Sequence, residues 1–134
     1  MAKLLDVEGI GPVNAEKLKN AGVGSTDSLL SMGGTAAGRK DLAAKAGVSE
    51  KLLLEWVNHV DLFRIRGVGE EYADLLEEAG VDTVVELAHR NPENLYNKLV
   101  EVNEAEHVVE SMPSEEEVAD WVAQAKELPR VITY

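Results

Sequence analysis

A chain of 134 residues suits one compact domain, or two half-size units sharing a core. Its apolar content of 45% calls for a buried core, and with aromatics at only 4% aliphatic side chains and alanine must fill it. The net charge is −12 and there is no cysteine, which excludes disulfides, a thiolate nucleophile and sulfur-ligated metal. No apolar run approaches the roughly 18 residues of a membrane span. Met1–Asp6 has a two-leucine apolar stretch, short of a secretory core, so the sequence predicts a cytoplasmic protein with no membrane contact.

Taken in order, the chain reads as helices. Pro12 sits at the first position of a helix to about Asn20, where its missing N–H costs nothing. Ala15, Leu18 and Ala21 fall on one face, and Gly22 supplies a left-handed stop. Ser25 or Thr26 caps a short helix over Asp27–Met32. A helix from Thr35 to about Ala46 follows, and Ser49-Glu50 opens another that carries Trp56. Farther on, Thr83 caps Val84–His89, and Asn91-Pro92 starts a helix to about Asn103. Ser114 and Glu115–Glu117 begin the last helix, with the glutamates complementing its positive end. Val131-Ile132-Thr133 is a tail at most.

This order repeats. A shift of 58 places Val7-Glu8-Gly9-Ile10-Gly11 over Ile65-Arg66-Gly67-Val68-Gly69. The register continues through Ala15/Ala73, Leu18/Leu76, Gly22/Gly80, Val23/Val81 and Leu29/Leu87. A shift of 65 then aligns Ser49 with Ser114 and Trp56 with Trp121, so the second copy has seven extra residues near Glu101–Met112. The expected architecture is an all-α domain made of two tandem units related by internal duplication, residues 1–65 and 66–134, around one shared core.

Charge divides along the same line. Residues 1–65 hold eight basic and eight acidic side chains, leaving five basic against seventeen acidic in the rest. The second half therefore carries the whole imbalance and repels a polyanion, whereas the first half does not.

Each unit contains a Gly-aliphatic-Gly turn feeding a helix. Such a turn reverses tightly while its middle residue plugs the gap between two helices. It also presents helix amides that lack internal partners, a place for a phosphate oxygen. Val7–Gly22 closely resembles the helix-hairpin-helix family. Over nearly its whole length the chain resembles a bacterial family of uncharacterised domains with a duplicated helix-hairpin-helix core. Val7–Leu18, Val48–Val57, Arg66–Tyr72 and Leu128–Tyr134 carry that likeness. The resemblance implies a phosphate grip that holds nucleic acid without reading sequence, at Gly9, Ile10, Gly11 and Lys17. It implies no catalytic activity and no cofactor. The family's DNA binders place lysine or arginine just after the turn, where this chain has Val13 and Glu71. The second turn, Gly67, Val68 and Gly69 with Arg66, is therefore expected to be structural.

Other signals are weaker. Leu42–Leu53 has the spelling of a helix-turn-helix, but Glu50 and Glu55 oppose a groove-reading helix. Gly33–Lys40 has the glycine spacing of a phosphate loop, with Arg39 at the lysine position and no preceding strand. His59, His89 and His107 share no ligand spacing, so no metal is expected. Trp56 and Trp121 read as core anchors. No nucleophile has a nearby base, so the sequence predicts no enzyme. Two functions remain open: nucleic-acid backbone binding through the first hairpin, or a protein-interaction role in which the acidic second half meets a basic partner.

Overall fold

The computed structural model of the protein describes residues 3–7 and 9–134. Met1, Ala2 and Glu8, the last aligned with Arg66 in the repeat, lie outside them. The described residues form a 3₁₀ turn, Leu4–Asp6, and eight α-helices, with no strand. No helix among them is long and apolar enough to cross a membrane.

The chain divides into two compact units. The first comprises residues up to Asp61 together with Arg130–Tyr134, and the second runs from Leu62 to Pro129. The tail thus belongs with the first unit rather than with the second half. The charge partition is unchanged, because Arg64 and Arg130 exchange places across the boundary.

In the first unit, α1 (Gly11–Asn20) packs on the 3₁₀ turn and on α3 (Ala36–Ala46), and α3 packs on α2 (Thr26–Gly33). Ser25 caps α2 by accepting from the Ser28 amide at 3.2 Å, and Thr35 caps α3 through the Gly38 amide at 3.0 Å. Gly47, at φ +73°, ends α3. Ser49 accepts from the Leu52 amide at 3.1 Å and opens α4 (Glu50–Leu62). Leu53, Trp56, Val57, His59 and Val60 of α4 are all buried. Its outward face carries Glu50, Lys51 and Glu55, all exposed, and the two glutamates keep that face unsuited to a DNA groove.

The tail is tied down. The Thr133 amide donates to the Gly34 carbonyl at 2.8 Å, and Ile132 is buried. Arg39 lies inside the unit, where one terminal nitrogen donates to the carbonyls of Gly33 and Gly34, both at 3.0 Å. Its other terminal nitrogen donates to the Thr133 carbonyl at 2.6 Å. The glycine-rich segment thus turns carbonyls toward a guanidinium, the opposite polarity to a phosphate loop.

In the second unit, α8 (Glu115–Glu127) packs against α6 (Val84–Ala88) and α7 (Pro92–Glu106), and α7 against α5 (Glu70–Glu78). Leu75, Leu76, Val81, Leu87, Leu99, Val118 and Trp121 belong to one apolar core. Thr83 caps α6 through the Glu86 amide and Asn91 caps α7 through the Asn94 amide. Ser114 and Glu117 form a reciprocal capping box, both bonds at 3.1 Å. Helix α7 runs a turn beyond its expected end and has 15 residues against 11 in α3. His107 stops it at φ +49°. The segment that follows is pinned by Asn103, whose side chain accepts from the Val109 amide at 2.9 Å and donates to its carbonyl at 3.1 Å. The segment between α7 and α8 is therefore held in place by its own unit.

Candidate nucleic-acid interface

The first turn begins where the Ile10 amide donates to the Val7 carbonyl at 3.2 Å, closing the chain after the 3₁₀ turn. Ile10 is buried as the plug, while Gly9 beside it is exposed. Gly9 adopts φ +89°, and a Cβ there would stand 3.6 Å from the indole nitrogen of Trp56. Gly11 is also left-handed, at φ +66°, with open space around it. Helix α1 starts directly from this turn, and its cap residue, Ile10, makes no side-chain capping bond.

The same frame recurs in the second unit. The Val68 amide donates to the Ile65 carbonyl at 3.1 Å, and Val68 is buried. Gly67 adopts φ +95°, and its Cβ would meet the Trp121 indole nitrogen at 3.1 Å. Helices α1 and α5 also end alike: the Val23 amide donates to Leu18 at 2.9 Å, and the Val81 amide to Leu76 at 2.8 Å.

Helix capping separates α1 and α5 from the rest. The other six α-helices each begin on a Ser, Thr or Asn side chain that accepts an amide of the first turn. Ile10 and Gly69 supply no such acceptor. The helices that follow the glycine turns therefore enter without the side-chain oxygen that satisfies early amides elsewhere.

Their electrostatics differ. Helix α1 has no acidic residue in its first turn and carries Lys17 and Lys19 toward its end. Both lysines and Val13 are exposed. Lys17 lies six positions from Gly11, about 9 Å along the axis, but its side chain leans back toward the N-terminus. Helix α5 places Glu70 and Glu71 in its first turn, against its own dipole end. Burial, then the charges of Glu117 and Glu71, push the Tyr72 phenol above its ordinary range. Its hydroxyl donates to the Ser111 carbonyl at 3.0 Å, and its ring lies 5.3 Å from that of Trp121.

The second turn is also occupied by its own unit. The Gln124 side chain accepts from the Arg66 amide at 2.9 Å and donates to the Arg66 carbonyl at 3.0 Å. Arg64 donates to the Pro129 carbonyl, so of the two arginines before this turn only Arg66 is exposed. Gln124 was not visible as a functional partner in the sequence, because its bonds go to backbone atoms 58 residues away.

On another side of α1, a groove of about 320 Å³ lies between that helix, the 3₁₀ turn and Gly24. Leu4, Pro12 and Ala15 line it, with Lys3 and Lys19 among its polar groups. Lys17 does not reach it, so the two lysines of α1 serve different surfaces.

Residues 8–128 match the profile of the domain of unknown function DUF4332, and the chain belongs to that family. No curated protein and no solved structure matches the chain.

Proposed function

We propose that the protein is a non-catalytic binding module of two helix-hairpin-helix units produced by internal duplication, and that the first hairpin holds a nucleic-acid backbone. The paired turns support the duplication: each has a buried aliphatic plug, a left-handed first glycine and a tryptophan indole beneath that glycine. One observation carries the nucleic-acid reading. The first turn is exposed at Gly9 and leads into a helix with neither a side-chain cap nor a first-turn acid. A phosphate oxygen at the Gly11 and Val13 amides, on either side of Pro12 with its missing N–H, would meet the positive helix end, with Lys17 nearby. The second hairpin serves as architecture, since Glu70 and Glu71 occupy the same end of α5.

Backbone contacts of this kind are independent of sequence and sensitive to salt. Titrating labelled duplex and single-stranded oligonucleotides at low salt should give binding with a log–log salt slope of about −1 to −2, from one or two phosphates neutralised. No mobility shift with either would defeat the reading.

A protein-binding role for the acidic unit is the second reading. Its support is the confinement of the whole −12 to residues 62–129. Desolvation, then the charges of Glu77 and Glu86, hold the Asp82 carboxyl above its ordinary range. A basic partner would associate faster through steering. Reversing Glu70, Glu71 and Asp74 should slow such association; unchanged behaviour, with nothing retained in a pull-down, would dismiss this role.

A further inference from the structure

The groove beside α1 has a different chemistry from the glycine turn. Its helical wall is Pro12, Ala15, Glu16 and Lys19, residues spaced three and four apart on one face. The opposite wall is the 3₁₀ turn, with Leu4 buried and Leu5 58% exposed at the rim. At about 320 Å³ the space lies at the small end of ligand pockets and accommodates one bulky side chain. Lys3 and Lys19 form no ion pair with any described residue. An apolar floor between two unengaged ammonium groups calls for an apolar anchor flanked by carboxylates.

We propose that this groove docks an acidic peptide segment of a partner protein, which inserts one large apolar side chain and pairs carboxylates with Lys3 and Lys19. A nucleic-acid backbone offers phosphates but nothing aliphatic for the floor. A second copy of this chain is a poor occupant too. Its acidic unit has no exposed large apolar side chain among the described residues, since Leu5, Val13, Met32 and Tyr134 all belong to the first unit. The partner therefore has to bring both the acid and the anchor. This site uses a face of α1 that excludes Lys17, so it stands or falls independently of the phosphate grip.

The test is a titration of the ¹⁵N-labelled full chain with acetylated pentapeptides, each holding one Leu, Phe or Trp between Asp or Glu residues. At least one such peptide should shift the amide resonances of Leu4, Leu5, Ala15, Glu16 and Gly24 in a saturable way. The Lys3→Glu, Lys19→Glu double variant should weaken binding about tenfold or more, while Lys17→Glu leaves it within about twofold. Circular dichroism of each variant confirms that the fold is intact. The proposal is overturned if no peptide of the set saturates, or if the double variant binds as wild type does. It is equally overturned if peptides with Lys in place of the acids bind as well, or if an oligonucleotide displaces the bound peptide from the Leu4, Leu5 and Gly24 resonances.

Discussion

The turns at Gly9-Ile10-Gly11 and Gly67-Val68-Gly69 share a frame and differ in what surrounds it. Both bury an aliphatic plug and set a tryptophan indole under a left-handed glycine. Around the first lie exposed Val13 and Lys17, and around the second lie Glu70, Glu71 and a side-chain amide bonded to the turn itself. Even the frames part at one point: Gly11 is left-handed, whereas Gly69 sits at φ −98°. A like hydrophobic frame is thus compatible with opposite electrostatics, because the plug and the indole are buried while the charged side chains are exposed.

The comparison is most forcefully tested at the indoles. Trp56→Ala and Trp121→Ala should each cost about 3–5 kcal/mol in chemical denaturation. Trp121 should lie at the upper end because Tyr72 packs on it, a contact worth about 0.5–1.5 kcal/mol beyond burial. Equal losses would mean that the Tyr72 contact contributes nothing.

The glycines come next. Gly67→Ala combines a left-handed backbone with a 3.1 Å approach and should cost about 2–3 kcal/mol, and Gly9→Ala, at 3.6 Å, about 1–2 kcal/mol. Gly11→Ala should also lose about 1 kcal/mol from its left-handed backbone. Gly69→Ala should stay within about 0.5 kcal/mol of wild type, since its backbone suits any residue and no atom crowds it, while alanine is the poorer helix cap. Matching losses at Gly11 and Gly69 would contradict the difference between the turns.

The smallest effect concerns charge within the second unit. The raised pKa of Asp82 means that folding favours its protonated form. Its stabilising contribution is therefore full below the unfolded pKa, near 4, and is lost as pH rises through the higher folded value. Asp82→Asn should stabilise the protein at neutral pH by no more than about 0.5 kcal/mol and flatten the pH dependence of its melting temperature just above the ordinary carboxylate range. An unchanged pH profile would remove Asp82 as its source.

Much of the fold was legible in the sequence because its signals are local. Ser25, Thr83, Asn91 and Ser114 cap helices within three residues of themselves, and those starts were readable to within a residue. Arg39 was not, since its acceptors include the Thr133 carbonyl 94 residues away. Nothing in Val131-Ile132-Thr133 alone says that a buried guanidinium and the Gly34 carbonyl hold it. The length of α7 was also hidden, because Glu104-Ala105-Glu106 are good helix formers that continue a helix without marking its end. At the candidate interface, the glycines and plugs could be read directly. The missing side-chain caps emerged only when all eight helix starts could be compared.

The claim that the first hairpin alone is an open phosphate site can be measured by adding one lysine to each hairpin at the matched position. Val13 is 70% exposed, so Val13→Lys should leave the fold intact. In low-salt anisotropy titrations with duplex DNA it should tighten binding several-fold and steepen the salt slope by about one phosphate. Glu71→Lys, although a larger change in charge, should leave affinity close to that of wild type because Glu70 and the Gln124-bound turn remain. A gain at Glu71→Lys equal to or above that at Val13→Lys would show that bulk charge, and not the first turn, governs binding.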